Sequence, residues 1–464
     1  RFLPGLRSLA GAIHAGGARA GIQLMHAGVA ASPKWTAHPL APSALTMPDG
    51  RTTREVSPDG MAQVAEQFAA AARRVKEAGF DGVEVHAAHR YLLAAFLSPS
   101  ANRRQDAYGG EVGNRARFVL EVLRRVRETV GPAYPVWLRM NGQEWMPAGL
   151  SNDDAVVIAG LAEEAGAAAV HISAWGVKYQ RQQQSLPTVP GGLLPLTAAI
   201  KKALRVPVIA VGMMSTELGE AALKNGQADL IAFGRALIAD PELPRKALEG
   251  RPEDIRPCIA CMHCRDGVIL GRDLECQVNP AAGREGEWRI AGADRLRKVL
   301  VVGGGPGGME AARTAALRGH KVALWEKGPR LGGQLLQAVV PPHKERMASL
   351  LPYYQTQLKK LGVKVRLGKE ATAAAIRAAR PEAVVMATGV EPMVPAIPGV
   401  DRPNVVLAGQ VLEGTAKVGQ RVVVIGGEMV GCEVAEFLAA QGRQVTVARR
   451  GQQVAQKVTM AMRE

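Results

Sequence analysis

Cysteine is absent from the first 257 residues, and four of the chain's five cysteines crowd into the stretch Cys258–Cys276. Thiols gathered so tightly point to a shared ligand, and nothing in the sequence resembles a secretory signal that would favour disulfides instead. Long apolar runs are missing too. Those present are strand-sized and broken by glycine or charge, which excludes a membrane-spanning helix. Aromatic residues make up only 4% of the chain, and Asp and Glu are interspersed among the Lys and Arg that give a net charge of +16. That pattern reads as a solvated, arginine-rich surface, with electrostatic attraction for anionic substrates or cofactors as the alternative, and not as a nucleic-acid interface. The expectation is a cytoplasmic protein of about three domains.

The cysteines follow the spacing C-x2-C-x2-C-x11-C at Cys258, Cys261, Cys264 and Cys276. Three thiolates two residues apart can wrap one face of a compact cluster while the fourth returns from a short loop, as in ferredoxin-like iron–sulfur ligation. Zinc and a purely structural thiol cluster are the alternatives.

Ahead of the cysteines, helix-like and strand-like segments alternate. Strands are expected near Ala20–Met25, Asp81–His86, Pro135–Met140, Ala168–Ser173, Pro207–Val211 and Asp229–Phe233. Helices are expected near 4–16, 60–79, 114–130, 151–166, 216–226 and 240–249. Such alternation predicts an α/β fold with a parallel sheet buried by helices. Polar residues cluster just after the strands, where a (β/α)8 TIM barrel places its chemistry: Gln23 and His26, then His86, His89 and Tyr91, then Arg139, and finally Gly234 and Arg235. Six strands leave such a barrel two short, the first two, and a six-stranded doubly wound sheet is the alternative.

The segments I-Q-L-M-H-A-G at 22–28, G-F-D-G-V-E-V-H-A-A-H-R-Y-L-L at 79–93, F-L-S-P-S-A-N-R-R-Q-D-A-Y-G-G at 96–110 and A-D-L-I-A-F-G-R-A at 228–236 resemble the old yellow enzyme family. With the cysteine run ending in C-Q-V-N-P, the resemblance is closest to its iron–sulfur branch of 2,4-dienoyl-CoA reductases and trimethylamine dehydrogenases. The resemblance implies FMN in the barrel mouth, with Gln23 and Arg139 along the pyrimidine edge and Gly212, Gly234 and Arg235 at the phosphate. Met213 stands where relatives carry a phosphate-binding arginine. It also implies a [4Fe-4S] cluster on the four cysteines. Relatives extend beyond both ends of this chain, so an internal fragment is expected.

In the reductase relatives, residues at the positions of His86 and His89 bind the oxygen of an activating carbonyl, and the tyrosine at the position of Tyr91 protonates the alkene. A metal on His86 and His89 lacks a third ligand. Trimethylamine dehydrogenases carry Tyr at the position of His86, which favours carbonyl activation here, whereas the cysteine spacing is closer to theirs.

From Arg295 a dinucleotide-binding pattern begins. A strand at Lys298–Val302 precedes Gly303, Gly305 and Gly308 in G-x-G-x-x-G, and a second strand ends in Glu326. Gly332-Gly333-Gln334 and Ala387-Thr388-Gly389 follow, as in two-dinucleotide flavoproteins, so FAD is expected. A second unit has Gly426 and Gly431 in the outer fingerprint positions, but Glu428 in the middle, which disfavours a pyrophosphate. Arg449 occupies the acid position, with Arg450 beside it, so any bound NAD(P)H is expected to be NADPH. Cys432 reads as a small buried residue.

The expected organisation is therefore an incomplete FMN barrel over 1–252, a cluster segment over 253–294, an FAD domain over 295–417 and the start of an NAD(P) domain over 418–464. The function implied is transfer of electrons from NAD(P)H through FAD and the cluster to FMN, and then as hydride to the C=C bond of an α,β-unsaturated carbonyl compound. Alternatives are an amine dehydrogenase or N-demethylase passing electrons to an electron-transfer flavoprotein, and an electron-transfer or redox-sensing subunit without turnover of its own.

Overall fold

Alternating apolar and polar residues along each strand give the first sheet two unlike faces. The computed structural model describes residues 2–47, 49–176, 189–456 and 458. The chain divides into two compact units, Arg1–Phe233 and Gly234–Glu464.

In the first unit, β1 (Gly21–Leu24), β2 (Gly82–Ala87), β3 (Val136–Trp145), β4 (Val170–Gly176), β5 (Val208–Ala210) and β6 (Leu230–Ile231) form one parallel sheet. Every pairing joins consecutive strands of this set. A doubly wound sheet reverses its order at a switch point, so the unbroken sequence rules out that alternative and matches the wall of a (β/α)8 barrel.

Helices α1 (Leu3–Ala15), α2 (Pro58–Glu77), α3 (Leu92–Leu97), α4 (Val112–Val130), α5 (Asn152–Glu164), α6 (Leu194–Ala203) and α7 (Thr216–Lys224) precede and connect the strands. One device starts three of them: Ser57, Ser151 and Ser215 accept hydrogen bonds from the amides of Gly60, Asp154 and Leu218. Each hydroxyl satisfies a donor that the first turn leaves without an intrahelical partner.

Val83, Val85, Val136, Leu138, Met140, Val170 and Ile172 turn outward into a core with Phe68, Phe118, Val122, Leu123 and Ile158 from the helices. The opposite face is polar. Register pairs Gln23 with Glu84, His86 with Arg139, Arg139 with His171, and Asn141 with Ser173, so these side chains share one side of the sheet.

The second unit opens with α8 (Arg235–Ala239), α9 (Leu243–Leu248) and α10 (His263–Ile269). The helix expected near 240–249 is α9; ahead of it Asp240 leaves the helical path, and its Oδ2 accepts from Lys246 Nζ at 2.6 Å and Arg256 N at 2.7 Å. Strands β7 (Lys298–Val302), β8 (Lys321–Trp325), β9 (Lys364–Arg366) and β10 (Ala383–Met386) then form a parallel sheet ordered β9-β8-β7-β10. This is the strand arrangement of a mononucleotide-binding half, in which the chain turns back across its first strand. Helix α11 (Pro306–Leu317) follows β7 and buries Met309 and Ala312 against Val299, Val301 and Leu324. Val278, Cys258 and Cys276 join that same core, tying the cysteine segment to it. A separate parallel pair, β11 (Arg421–Ile425) and β12 (Gln444–Ala448), flanks α12 (Met429–Ala440). Among the described residues no helix is long and apolar enough to cross a membrane.

Candidate functional site

The chain leaves β2 through two consecutive non-glycine residues in the left-handed region, His89 at φ 57° and Arg90 at φ 62°. That conformation costs roughly 1–2 kcal/mol per residue and persists only where the surroundings enforce it. Here the His89 amide donates to Asn141 Oδ1 at 3.2 Å, and the Leu92 amide donates to the His26 carbonyl at 3.1 Å. The result is a compact set of rings. Tyr91 lies 4.8 Å from His86 at an interplanar angle of 88°, and His89 lies 5.1 Å from His86.

A backbone amide fixes the direction of the imidazole hydrogen bonds. The Ala88 N–H donates to His86 Nδ1 at 3.0 Å, so that nitrogen is an acceptor and the neutral ring carries its proton on Nε2. Nε2 then donates to His89 Nδ1 at 3.2 Å, and His89 Nε2 in turn donates to Ser173 Oγ at 2.6 Å. Burial, reinforced by the positive charge of Arg139, lowers the His86 pKa to about 4, so the ring is neutral near pH 7.

Beneath this chain lies the buried carboxylate of Glu84. Its Oε1 accepts from Gln23 Nε2 at 2.5 Å, and its Oε2 accepts from Trp137 Nε1 at 2.6 Å and His171 Nδ1 at 2.8 Å. Burial alone would raise the Glu84 pKa, but the hydrogen bond and charge of His171, helped by Gln23 and Trp137, bring it down to about 2. Beside it, burial pulls the Arg139 guanidinium below its usual range while Glu84 and Tyr91 oppose the shift. Arg139 Nε, His171 Nε2 and Trp175 Nε1 are buried without a hydrogen-bond partner among the described residues. Such atoms are rare in native interiors, and three on two neighbouring strands mark a place where a polar ligand belongs.

Glu84, Asn141, His171, Ser173 and Trp175 were not among the residues anticipated. Their signal was the strand period of two: Glu84 precedes His86 by one repeat, Asn141 follows Arg139 by one, and H-I-S-A-W puts a polar or aromatic residue at each inward position. Of the anticipated phosphate residues, Gly212 follows β5 at φ 121° and its carbonyl accepts from the Gly191 amide, while Met213 is itself left-handed at φ 51°. Gly234 and Arg235 begin the second unit, where Arg235 Nη1 lies 2.8 Å from Met262 Sδ.

Within that unit Ala260 and Met262 adopt φ of 57° and 59°, one reversal between Cys258 and Cys261 and one between Cys261 and Cys264. Cys258, Cys261, Cys264 and Cys276 consequently line one small pocket together with Arg235 and Met262. Burial, with the neighbouring thiolates adding to it, raises the Cys261 and Cys264 thiols. Arg346 Nε donates to the Cys258 carbonyl at 2.7 Å, placing a second guanidinium beside the pocket. Among the described residues no three His, Cys, Asp or Glu side chains converge on a single metal ion.

The dinucleotide motifs meet at the carboxyl end of β7. A Cβ added to Gly308 would lie 1.9 Å from the Gly303 carbonyl oxygen, so only glycine lets α11 approach the turn. Gly305 caps α11, and Glu326 beyond β8 accepts from the amides of Gly304 at 2.6 Å and Gly328 at 2.7 Å. Gln334 Nε2 donates to the Val390 carbonyl at 2.8 Å, bringing the 332–334 and 387–389 motifs together. In the second unit's other βαβ element, Gly426, Glu428 and Gly431 form the turn into α12. Arg449 Nη1 stands 3.4 Å from Glu428 Oε1.

A family model described as the NADH:flavin oxidoreductase / NADH oxidase family matches residues 2–254, and one described as pyridine nucleotide-disulphide oxidoreductase matches residues 297–464. A metal reductase of Desulforamulus reducens is 42% identical over 95% of this chain and 67% of its own length. The solved complex of 2-naphthoyl-CoA reductase with 2-naphthoyl-CoA is 36% identical with a TM-score of 0.94, over 99% of this chain and 73% of that one. Histamine dehydrogenase from Rhizobium sp. 4-9 is 29% identical with a TM-score of 0.87, over 97% and 69%. The chain thus spans about two thirds of the length of the curated relative.

Proposed function

The chain belongs to the NADH:flavin oxidoreductase / NADH oxidase family, the old yellow enzymes, and from that premise we propose that the whole protein is an NAD(P)H-dependent ene-reductase. It is a flavin-dependent oxidoreductase joined to a pyridine nucleotide-disulphide oxidoreductase region. The proposed substrate is the C=C bond of an α,β-unsaturated carbonyl compound of enoate or 2,4-dienoyl-CoA type, and the proposed compartment is the cytoplasm.

The observation that carries this reading is the directed chain His86–His89–Ser173 beside the Tyr91 phenol. Neutral imidazoles with their protons on Nε2 are donors for an oxygen that gains negative charge. A substrate carbonyl arriving at either Nε2 takes the place of the present acceptor, His89 Nδ1 or Ser173 Oγ. The Tyr91 phenol is the group that delivers a proton to the neighbouring carbon.

The unpartnered polar atoms Arg139 Nε, His171 Nε2 and Trp175 Nε1, with Gln23, suit the polar edge of FMN, and Gly212 is proposed for its phosphate. Gly303, Gly305, Gly308, Glu326 and Gln334 would hold FAD. Four thiols spaced C-x2-C-x2-C-x11-C around one pocket suit a [4Fe-4S] cluster better than zinc. When bound, these groups supply hydride and single-electron transfer that no side chain here provides.

A second reading, an amine dehydrogenase or N-demethylase handing electrons to an electron-transfer flavoprotein, is favoured by the cysteine spacing and by Glu428 in the nucleotide loop. Anaerobic spectroscopy of the flavin-loaded protein separates the two. Reduction by NAD(P)H and reoxidation by an α,β-unsaturated carbonyl compound supports the ene-reductase. Bleaching by methylated amines without response to NAD(P)H replaces it with the second reading.

A further inference from the structure

We propose that Glu428 and Arg449 form an exchangeable ion pair that makes the β11–α12–β12 element select a nucleotide bearing a 2′-phosphate, NADPH over NADH. The inference rests on the reading that a pyridine nucleotide binds there.

The two dinucleotide elements are built alike, residue for residue. The Gly303 amide donates to the Trp325 carbonyl at 2.8 Å, and the Gly426 amide donates to the Ala448 carbonyl at 2.9 Å. A Cβ on Gly431 would sit 1.9 Å from the Gly426 oxygen, just as one on Gly308 would crowd Gly303. This frame aligns Gly305 with Glu428 and Glu326 with Arg449. Both positions change, and they change to opposite charges that meet at 3.4 Å.

The local packing shows how the pair is held. Arg449 folds across the loop so closely that a Cβ on Gly427 would lie 2.9 Å from its Cδ, and its Nη1 also donates to the Gln453 carbonyl. The guanidinium thus occupies the corner where Glu326, in the first element, accepts hydrogen bonds. An arginine offers no acceptor to a ribose hydroxyl, so NADH gains nothing from it. A 2′-phosphate offers doubly charged, bidentate contact that outcompetes one carboxylate, with Arg450 adjacent to strengthen it. Glu428, whose side chain is 42% exposed, is then released toward water. Until that exchange its charge repels the pyrophosphate of either nucleotide.

Calorimetric titration of the intact, flavin-loaded protein with NADPH, NADH and 2′,5′-ADP tests this. The expected result is NADPH binding at least about tenfold tighter than NADH, with 2′,5′-ADP competing. Arg449→Glu should lose that preference, Arg449→Lys should retain part of it, and Glu428→Gly should tighten both nucleotides, NADPH more. Unchanged flavin content confirms that each variant is folded. Equal affinities in the wild type, or a ratio insensitive to Arg449→Glu, overturn the pair's role while leaving nucleotide binding in place. If neither wild type nor Glu428→Gly binds either nucleotide, the underlying reading fails and the inference falls with it.

Discussion

Glu84 on β2 accepts a hydrogen bond from His171 on β4 at 2.8 Å, spanning the intervening strand β3. The same carboxylate also takes Gln23 from β1 and Trp137 from β3, so one buried anion gathers four consecutive strands. Glu84→Ala would strand the buried His171 donor and, with it, the less buried donors of Trp137 and Gln23. The expected loss is about 3–5 kcal/mol in denaturant unfolding, the usual consequence of breaking a buried pair from one side. Glu84→Gln, which keeps an acceptor oxygen, should cost less. A loss below about 1 kcal/mol for the alanine variant would show that the strands are held together without this carboxylate.

Acid should destabilise the first unit in two overlapping stages of the same sign. His86 titrates near 6.5 when unfolded but only at about 4 when folded, so between those values the unfolded chain binds the extra proton and stability falls as pH falls. The contribution is about 3 kcal/mol across that window. Glu84, lowered from 4.5 to about 2, adds a further loss as pH drops through that lower range. Unfolding free energies measured from pH 7 to 4 for wild type and His86→Gln should differ in slope, the variant being flatter. Parallel curves would contradict the assignment.

Tyr91→Phe keeps the ring beside His86 and removes the hydroxyl together with its proton. Stopped-flow reoxidation of the reduced protein by an α,β-unsaturated carbonyl compound should slow by about 10²–10⁴-fold, while reduction by NAD(P)H keeps its rate. Equal slowing of both phases would mean that the residue supports structure and does not donate the proton.

Cys264 is the most buried thiol of its set. Cys264→Ser should abolish acid-labile sulfide and most bound iron in anaerobically purified protein, while flavin content is retained. Retention of sulfide at wild-type level would remove Cys264 from the ligand set.

Much of this architecture was legible because it follows from period and punctuation. All six strands of the first sheet lie within two residues of their expected starts, since each carries an apolar face at alternate positions; β3 and β4 run past their expected ends, to Trp145 and Gly176. Helix α6 escaped notice because it opens on Leu194-Pro195 without a capping side chain. The rings His86, His89 and Tyr91 could be anticipated from one local motif and do lie together. The Glu84–His171 bond could not, because 87 residues separate partners that meet only through strand register. Likewise, Arg235 follows a strand end, yet its guanidinium lies by Met262, a neighbour that sequence spacing does not reveal.

The uninterrupted strand order also bears on how the first sheet is assembled. Because every pairing joins a strand to the one laid down just before it, a chain emerging from the ribosome can add each βα step to an edge that already exists. Among the described residues no strand of this sheet is inserted between two others, so synthesis itself can set the register that brings Glu84 to His171.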